Sequence, residues 1–315
     1  MTAIVVLGSL NIDLVVQVPR FPQPGETIRG TLFETFTGGK GGNQAVAVAR
    51  LGGAPRVMAR VGDDEFGKQY RGVLTTEGAL VEGVETVSAT STGTALIEVD
   101  QHGQNHIVIV PGANGSWTAE SAQAAVETIP PGSILLLQLE IPFDAVWSAI
   151  RTAGAREIPV ILDPAPAPPA DEPIPEDVLQ HLHWITPNEG EAAAITGIDT
   201  STDAGQQRAA RALVEMGVTY GVVKAGARGA WLATSSAASS DPVLVPGFTV
   251  TARDTTAAGD SFNGGLAWAL AQGHSPIDAM RRANAVAALS TTGMGAQTAM
   301  PTAAAVATLL QHQPQ

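Results

Sequence analysis

Residues 254–260, Asp-Thr-Thr-Ala-Ala-Gly-Asp, combine three features that a phosphoryl-transfer site needs. Their small side chains allow a backbone turn to approach a ligand closely. The apolar run at 261–271 predicts a helix that begins here, and the free N–H groups of its first turn would face an anion. The carboxylate of Asp260 could accept a proton from an attacking hydroxyl. Taken alone, the segment is equally typical of a flexible loop followed by a helix N-cap.

A second candidate is the segment Gly-Gly-Lys-Gly-Gly-Asn at 38–43. It is not a Walker A loop, because Lys40 is followed by glycine and no glycine occupies position 34. Four glycines around one lysine indicate unusual backbone conformations beside a ligand, although an ordinary glycine-rich turn is the alternative. Asn43 would lie in the first turn of the following helix, with its amide towards the same ligand.

Polar residues also follow several predicted strands. Asn11 and Asp13 are two apart, so on an extended segment they share a face and could grip the vicinal hydroxyls of a sugar. An ordinary Asn/Asp turn is the alternative. Asn188 and Glu191 are three apart at a predicted helix start, which indicates either a magnesium or phosphate site or a capping box. Glu140 follows the strand predicted at 134–139.

Short β-branched or Leu-rich runs alternate with helical segments along the chain. This alternation predicts one α/β domain over residues 1–315, with a mostly parallel central sheet flanked by helices on both faces. Predicted strands lie at 4–7, 57–59, 134–139, 160–162, 184–186 and 222–224, and predicted helices at 43–51, 65–77, 143–153, 189–196 and 206–216. Because ligands bind at the carboxyl ends of parallel strands, we expect the polar strand ends to form one crevice.

Residues 12–37 and 92–110 break this alternation, because they have strand patterns without intervening helices. A turn at 100–103 predicts a hairpin in the second stretch. Together the two stretches predict a small discontinuous β-sheet that could act as a lid, with an apolar face that a homodimer would cover. A second hairpin is predicted at Gly226–Gly229, and residues 234–241 have the composition of a mobile hairpin tip.

Composition excludes several functions. The formal net charge of -13 argues against nucleic acid or an anionic membrane as the main partner. An anionic substrate must then be held by local amides and a metal ion. The chain has no cysteine, which excludes disulfides, thiolate metal sites and a cysteine nucleophile, and its histidines lack zinc-ligand spacing. We see no signal peptide and no membrane-spanning apolar run, so we expect a cytoplasmic protein.

From Gly8 to Pro301 the chain resembles the PfkB carbohydrate kinase family. The glycine-rich segment extended to Ala45 matches the first signature of that family, and residues 254–264 match its second. Asn188 and Glu191 match its Asn-x-x-Glu motif. The lysine within the glycines is typical of the ribokinase members, as are the segments 24–27, 163–167 and 295–297.

The resemblance implies transfer of the γ-phosphoryl group of ATP to the 5-hydroxyl of D-ribose, giving D-ribose 5-phosphate and ADP. Asp260 would be the general base, and the amides of Ala257, Ala258 and Gly259 would form the anion hole. Besides Asp260, the ribose contacts would be Asn11, Asp13, Gly39, Lys40, Asn43 and Glu140. Besides Gly259, the nucleotide contacts would be Asn188, Glu191, Lys224, Gly226, Gly229 and Asn284.

The same resemblance implies two metal ions and a moving lid. Mg²⁺ would be bound near Glu191, through water. The positions that match the family's monovalent cation site, commonly occupied by K⁺, are Asp254, Thr256, Ser290, Gly293, Gly295 and Ala299. The small sheet would be the lid, would close at the hinge Gly38–Gly39 and would pair with its copy in a homodimer.

Three residues depart from the ribokinase pattern. Lys224 stands where threonine is common, Ala299 replaces a frequent serine, and Gly293 replaces a common basic residue.

Other family substrates, such as deoxyribose, fructose, 2-keto-3-deoxygluconate or a nucleoside, remain alternatives. A catalytically dead sugar-binding regulator is disfavoured by the intact turn and Asp260. A dinucleotide-dependent oxidoreductase is disfavoured because no G-x-G-x-x-G follows the first strand.

Overall fold

Alternate side chains of the first strand, Ile4–Leu7, belong to two different apolar layers. Val5 and Leu7 pack in one layer, and Ile4 and Val6 pack in the other. Burial on both sides is typical of the centre of a parallel sheet that helices cover on both faces. The computed structural model, which describes residues 2–237 and 241–313, has this architecture.

The strands in the described residues are β1 (Ile4–Leu7), β2 (Asn11–Gln17), β3 (Leu32–Gly38), β4 (Arg56–Gly62), β5 (Leu80–Val87), β6 (Gly93–Val99), β7 (Asn105–Val110), β8 (Ile134–Leu137), β9 (Val160–Leu162), β10 (Trp184–Ile185), β11 (Tyr220–Lys224), β12 (Gly229–Thr234) and β13 (Val243–Pro246). The α-helices are α1 (Lys40–Arg50), α2 (Glu65–Glu77), α3 (Ala119–Glu127), α4 (Phe143–Ala155), α5 (Glu176–Leu179), α6 (Glu189–Thr196), α7 (Asp203–Glu215), α8 (Ala258–Ala271), α9 (Pro276–Ser290) and α10 (Ala303–His312).

Nine strands of the described residues form the main sheet, in the order β13-β12-β11-β10-β9-β8-β1-β4-β5. The pairs from β11 to β5 are parallel, and only β12 and β13 join in antiparallel fashion. The predicted mostly parallel sheet is therefore confirmed. One apolar layer contains residues of α3, α4 and α7, and the other contains residues of α1, α2, α8 and α9, so helices cover both faces as predicted.

Four further strands form a separate small sheet in the order β3-β2-β6-β7. Strands β2 and β6 are parallel, and each has an antiparallel partner at the edge. The predicted small sheet and its hairpin at 100–103 are confirmed, whereas residues 18–31 of the first predicted stretch contribute no strand. Its action as a lid stays a prediction. The hairpin tip predicted at 234–241 lies in part outside the described residues.

None of the helices in the described part of the chain combines the length and the apolar character that crossing a bilayer requires.

The small sheet is joined to helix α1 through Gly39, which has a φ of +80°. A Cβ atom there would lie 2.7 Å from the backbone nitrogen of Asn11. Both facts require glycine, since other residues rarely adopt this φ and any side chain would collide with strand β2.

We predict that Gly39→Ala lowers the free energy of unfolding by about 2 kcal/mol, because it combines backbone strain with this collision. The matched control is Gly72→Ala on the exposed side of α2, where a Cβ atom would meet nothing within 4 Å. That change should raise the free energy by about 0.5–1 kcal/mol, as alanine does in helices. Urea denaturation measures both, and equal effects of the two changes would contradict the requirement for glycine at position 39.

The small sheet exposes apolar side chains on both faces. Ile107 and Val108 are neighbours on the edge strand β7, so they point to opposite faces, and they are 51% and 59% exposed. Leu96 shares the face of its pairing partner Val108, and Phe33 lies on the same side two residues along. An apolar sheet with an open edge is typical of a surface that another protein chain covers.

We therefore predict that the chain is a homodimer and that the double variant Ile107→Lys/Val108→Lys is a monomer, because charges on both faces oppose burial. Sedimentation velocity measures the state of each. The control is Val243→Lys, a half-exposed apolar residue on the edge of the main sheet, which should leave the dimer intact. A dimeric double variant would mean that the small sheet is not the interface.

Candidate active site

Polar residues or a glycine lie at the carboxyl ends of five neighbouring strands of the main sheet. Glu140 follows β8, Asp163 follows β9, and Asn188 follows β10, while Lys224 is the last residue of β11 and Gly8 follows β1. Parallel strands end at the same edge of a sheet, so these residues lie along one crevice. The expected crevice is therefore present in the structure.

Asp260 lies in the first turn of α8, at the middle of this crevice, and is only 4% exposed. Its carboxylate accepts a hydrogen bond from Asn43 Nδ2 at 2.9 Å and from Gln44 Nε2 at 3.2 Å. Both donors lie in α1, so the segments 38–43 and 254–260 of the sequence meet in space. A carboxylate in this position can act as a general base towards a hydroxyl in the crevice.

Burial and the neighbouring charges have opposite effects on the pKa values of Asp260 and Lys40. Burial raises the pKa of Asp260 to about 6, although the nearby ammonium of Lys40 acts in the opposite direction. Burial disfavours the charged form of Lys40, but the negative charges of Asp260, Asp163 and Glu140 outweigh it and raise its pKa. At neutral pH the site therefore holds an ionised carboxylate beside a charged lysine.

The turn before α8 has the backbone geometry of an anion site. Ala257 has a φ of +58°, which is rare for a residue with a side chain and is typical of functional turns. The N–H of Ala258 donates to Thr255 O at 3.2 Å and is thus engaged within the turn. The N–H groups of Ala257 and Gly259 have no such partner among the described residues, so they are the free donors of the predicted anion hole.

The predicted sugar residues lie on the other side of Asp260. The Asp13 carboxylate lies against the hinge, since a Cβ atom on Gly38 would be 2.2 Å from its Oδ2. Burial, and secondarily the charge of Glu140, raise the pKa of Asp13 to about 7. Glu140 accepts from Ser9 Oγ at 2.6 Å and from the backbone N–H of Lys40 at 2.9 Å.

Asn11 is buried next to Asp13, and its Oδ1 accepts a hydrogen bond from Asn114 Nδ2 at 2.8 Å. Asn114 also accepts from the N–H of Leu10 and donates to its carbonyl. These bonds fix the Asn11 oxygen and leave its Nδ2 to donate to a ligand.

A cavity of about 620 Å³ extends from Asp260 over the ends of β10 and β11. All the residues predicted for the nucleotide line it: Asn188, Glu191, Lys224, Gly226, Gly229, Gly259 and Asn284. The side chain of Lys40, predicted for the sugar, lines this cavity as well. The sugar residues Asn11, Asp13, Gly39 and Asn43 lie beyond Asp260 and outside it.

Asn188 and Glu191 form the capping box of α6, with Glu191 Oε2 accepting from the N–H of Asn188 at 2.8 Å. The capping box predicted as one alternative for this pair is therefore confirmed. Both residues also line the cavity, so their capping role does not exclude contact with a phosphate. Burial raises the pKa of Glu191, while the charge of Lys224 opposes that shift.

The side-chain nitrogen of Asn284 donates to the carbonyls of Val245 and Pro246 at 2.9 and 3.0 Å, which holds the end of β13 beside the cavity. Gly226 and Gly229 have φ values of +56° and +106° in the turn between β11 and β12, so the predicted hairpin is present.

Most residues predicted for a monovalent cation are grouped around Asp254. Its Oδ1 accepts from the hydroxyl and the N–H of Thr256, and its Oδ2 accepts from the N–H of Gly295 at 2.8 Å. Burial opposes ionisation of Asp254, but these bonds outweigh it and lower its pKa.

Gly293 lies against Ala299, since a Cβ atom on the glycine would be 2.9 Å from the alanine Cβ, and the Ser290 hydroxyl donates to Ala287 O. Within the described residues no three His, Asp or Glu side chains are grouped as metal ligands.

Several residues that the structure places in this site were not predicted from the sequence patterns. Gln44 donates to both Asp163 and Asp260, and Gln138 donates to Gln44 Oε1 at 2.6 Å. Asp163 directly follows the strand predicted at 160–162, so the rule that found Glu140 could have found it. Gln297 and Tyr70 come from distant parts of the chain. Tyr70 left no local signal, and Gln297 was indicated only by the resemblance of segment 295–297 to ribokinases.

Comparison with known proteins identifies the class of enzyme. Residues 1–303 match the pfkB family carbohydrate kinase model, and the chain belongs to this family. It is therefore a phosphotransferase that acts on an alcohol group.

Within the family, the chain is 39% identical over 310 residues to the ribokinase of Bacillus subtilis, which covers 98% of this chain and 100% of that protein. It is 35% identical over 299 residues to a deoxyribokinase of Salmonella typhi, covering 95% of each chain. The structure of an Arabidopsis thaliana ribokinase complexed with ribose and ATP matches with a TM-score of 0.90, 32% identity and coverage of 99% of both chains.

Lys224 Nζ forms an ion pair with the buried Asp163 Oδ1 at 2.9 Å. We predict that Lys224→Met lowers the free energy of unfolding by about 3 kcal/mol, because it leaves a buried carboxylate without its cation. The double variant Lys224→Met/Asp163→Asn should recover most of that loss. Urea denaturation of the four proteins in a double-mutant cycle gives the coupling, and additive losses would contradict the ion pair.

Proposed function

We propose that the chain is an ATP-dependent ribose kinase that transfers the γ-phosphoryl group of ATP to the 5-hydroxyl of D-ribose. The observation that carries this proposal is the position of the buried Asp260 carboxylate. It lines a nucleotide-sized cavity and accepts a hydrogen bond from Asn43, and the predicted sugar pocket of Asn11, Asp13 and Asn43 lies outside that cavity. A hydroxyl held in that pocket would meet the base and the phosphoryl donor together.

Asp13 supports a polyhydroxylated sugar as the acceptor. No described residue donates a hydrogen bond to its carboxylate, and burial, together with the charge of Glu140, raises its pKa to about 7. Two sugar hydroxyls can donate to such a carboxylate and stabilise its ionised form. Asn11 would donate its free amide hydrogens to the same sugar, with Asn43, Glu140 and the backbone at Gly39 completing the contacts.

Lys40 and Lys224 support a polyphosphate in the cavity. The protein carries a formal net charge of -13, yet both ammonium groups are concentrated where the anion would lie. A Cβ atom on Gly259 would be 3.3 Å from Lys224 Nζ, so this lysine lies beside the proposed anion hole. We assign Lys40 to the transferred phosphoryl group, with its backbone N–H bound to Glu140, and Lys224 to the adjacent phosphate oxygens.

In the proposed reaction the 5-oxygen of ribose attacks the γ-phosphorus, the bond to the β,γ-bridging oxygen breaks, and ADP leaves. The hydroxyl proton passes to Asp260. The N–H groups of Ala257 and Gly259 stabilise the charge on the phosphoryl oxygens during transfer. Catalysis thus depends on positioning and on neutralisation of charge.

Two metal ions belong to the proposal. Glu191 and Asn188 would hold Mg²⁺ on the phosphates, mostly through water, which suits the small number of carboxylates at this end of the cavity. Mg²⁺ neutralises phosphate charge. K⁺ would be held around Asp254 by Thr256, Ser290, Gly293, Gly295 and Ala299, and it would stabilise the turn that carries the anion hole. The expected cytoplasmic location stays a prediction.

A second candidate substrate is deoxyribose, favoured by the similarity to a deoxyribokinase. The two sugars differ at the 2-position, so the distinction depends on whether the pocket of Asn11 and Asp13 requires a 2-hydroxyl. A pocket built to bind a hydroxyl discriminates strongly against the sugar that lacks it.

The proposal is tested by ADP release with Mg-ATP and K⁺ across D-ribose, 2-deoxyribose, D-fructose, 2-keto-3-deoxygluconate and nucleosides. We expect the largest kcat/KM with D-ribose. Highest activity on another member of the panel would keep the base and reassign the sugar contacts, and no activity on any member would overturn the proposed function.

Asp260→Asn should lower kcat about a thousandfold, because it removes the general base and keeps the size of the side chain. Ribose binding, measured by calorimetry, should be retained, with the circular dichroism unchanged. The control is Asp177→Asn, an exposed partner of Arg151, which should leave kcat unchanged. Wild-type kcat should fall as pH decreases through about 6, since protonation removes the base. Full activity of Asp260→Asn would contradict the assignment.

A further inference from the structure

Gln297 connects three parts of the molecule that meet beside the proposed base. It begins a short turn between α9 and α10 and is 6% exposed. Its Oε1 accepts from Thr37 Oγ1 of β3 at 2.6 Å. Its Nε2 donates to Asn43 Oδ1 of α1 at 3.1 Å and to Tyr70 Oη of α2 at 2.9 Å.

The direction of these hydrogen bonds is determined by one backbone carbonyl. The Tyr70 hydroxyl donates to the carbonyl oxygen of Gly38, which can only accept. Since its single hydrogen is used there, the hydroxyl accepts from Gln297, and the amide nitrogen of Gln297 must face it. The same nitrogen faces Asn43, so Asn43 turns its oxygen towards Gln297.

Asn43 consequently turns its nitrogen towards the base. Its Nδ2 donates to Asp260 Oδ2 at 2.9 Å, and this bond favours the ionised carboxylate against the effect of burial. If the Asn43 amide rotated by half a turn, its oxygen would face the carboxylate and repel it. The other groups that act on Asp260 are separate from these bonds and would remain in place: Gln44 of α1 through its hydrogen bond, and Lys40 of α1, Asp163 after β9 and Glu140 after β8 through their charges. Lys224 of β11 lies beside the neighbouring Gly259.

We propose that Gln297 is a positioning residue for the phosphoryl-transfer reaction. It holds the Asn43 amide in the orientation that donates to Asp260, and it links that orientation to the end of β3 at Thr37 and Gly38. This inference rests on the proposed role of Asp260 as the base. Because β3 belongs to the small sheet, the alignment of the base depends on where the hinge places that sheet.

The test is the pH dependence of kcat in Gln297→Met, which keeps the length of the side chain and removes its hydrogen bonds. The acid limb of the kcat profile should move up by about one pH unit, which corresponds to loss of one hydrogen bond to a charged group. Activity should therefore be reduced near neutral pH and recover at alkaline pH. The KM for ATP should change less than twofold, since Gln297 does not line the nucleotide cavity.

Tyr70→Phe tests the direction of the bonds separately, because it removes the acceptor that orients Gln297. Its acid limb should move in the same direction by a smaller amount, and the double variant should shift no further than Gln297→Met alone. The control is Gln123→Met on α3, whose amide contacts only Glu127 at the surface and whose profile should match that of the wild type. If Gln297→Met loses its native circular dichroism, Tyr70→Phe carries the test.

Two results would overturn the inference. A uniform loss of kcat at every pH, with the acid limb unmoved, would mean that Gln297 only stabilises the fold. Shifts that add fully in the double variant would mean that Tyr70 and Gln297 act independently. Failure of the base assignment itself is distinguishable, since Asp260→Asn would then remain active whatever Gln297 does.

Discussion

A buried carboxylate is retained only where hydrogen bonds and a nearby cation compensate for its lost hydration, and this constraint organises the whole site around Asp260. Asn43 and Gln44 supply the hydrogen bonds, and Lys40 supplies the charge. All three come from α1, whose first residues follow the glycine-rich hinge. The position of that helix against α8 therefore sets the ionisation of the base, and the surrounding polar residues chiefly hold α1 and its side chains in place.

The parallel sheet supplies the second half of this arrangement. Strands β8, β9 and β11 of the main sheet present Glu140, Asp163 and Lys224 at one edge. Glu140 and Asp163 accept hydrogen bonds from α1, and Lys224 lies beside Gly259 in the first turn of α8. The carboxylates of Asp260, Asp163 and Glu140 thus lie around Lys40, and Lys224 pairs with Asp163. The arrangement keeps Lys40 charged where an anion would bind, in a protein whose overall charge is strongly negative.

The sequence predicted those features that arise from local periodicity. Strand β1 and helices α2 and α6 lie at their predicted bounds, since their apolar patterns are bordered by caps such as Asp64 and Asn188. Strand β8 ends two residues earlier than predicted, where Gln138 turns its side chain to Gln44. Helix α7 begins three residues earlier than predicted, because Thr202 caps it.

Site residues were predictable from sequence where they follow strands, because the ends of parallel strands are brought together by the sheet itself. Gln297 has no such local signal. Its partner Thr37 is 260 positions away, and Asn114 is 103 positions from Asn11, so only the folded chain brings either pair together. The orientation of an amide within such a network depends on partners that no periodicity encodes.

The small sheet is built from two separate stretches of chain, and this has a consequence for the order of folding. Its central strands β2 and β6 pair in parallel, yet β3, α1, β4, α2 and β5 intervene between them. Closing so long a loop costs conformational entropy before the pair contributes any contact. Once β1, β4 and β5 have paired in the main sheet, they bring the two ends of that loop closer together and lower the entropic cost of closing it. The small sheet is thus expected to assemble late, on a platform that is already in place, and the pocket for the acceptor would be completed in the same late event.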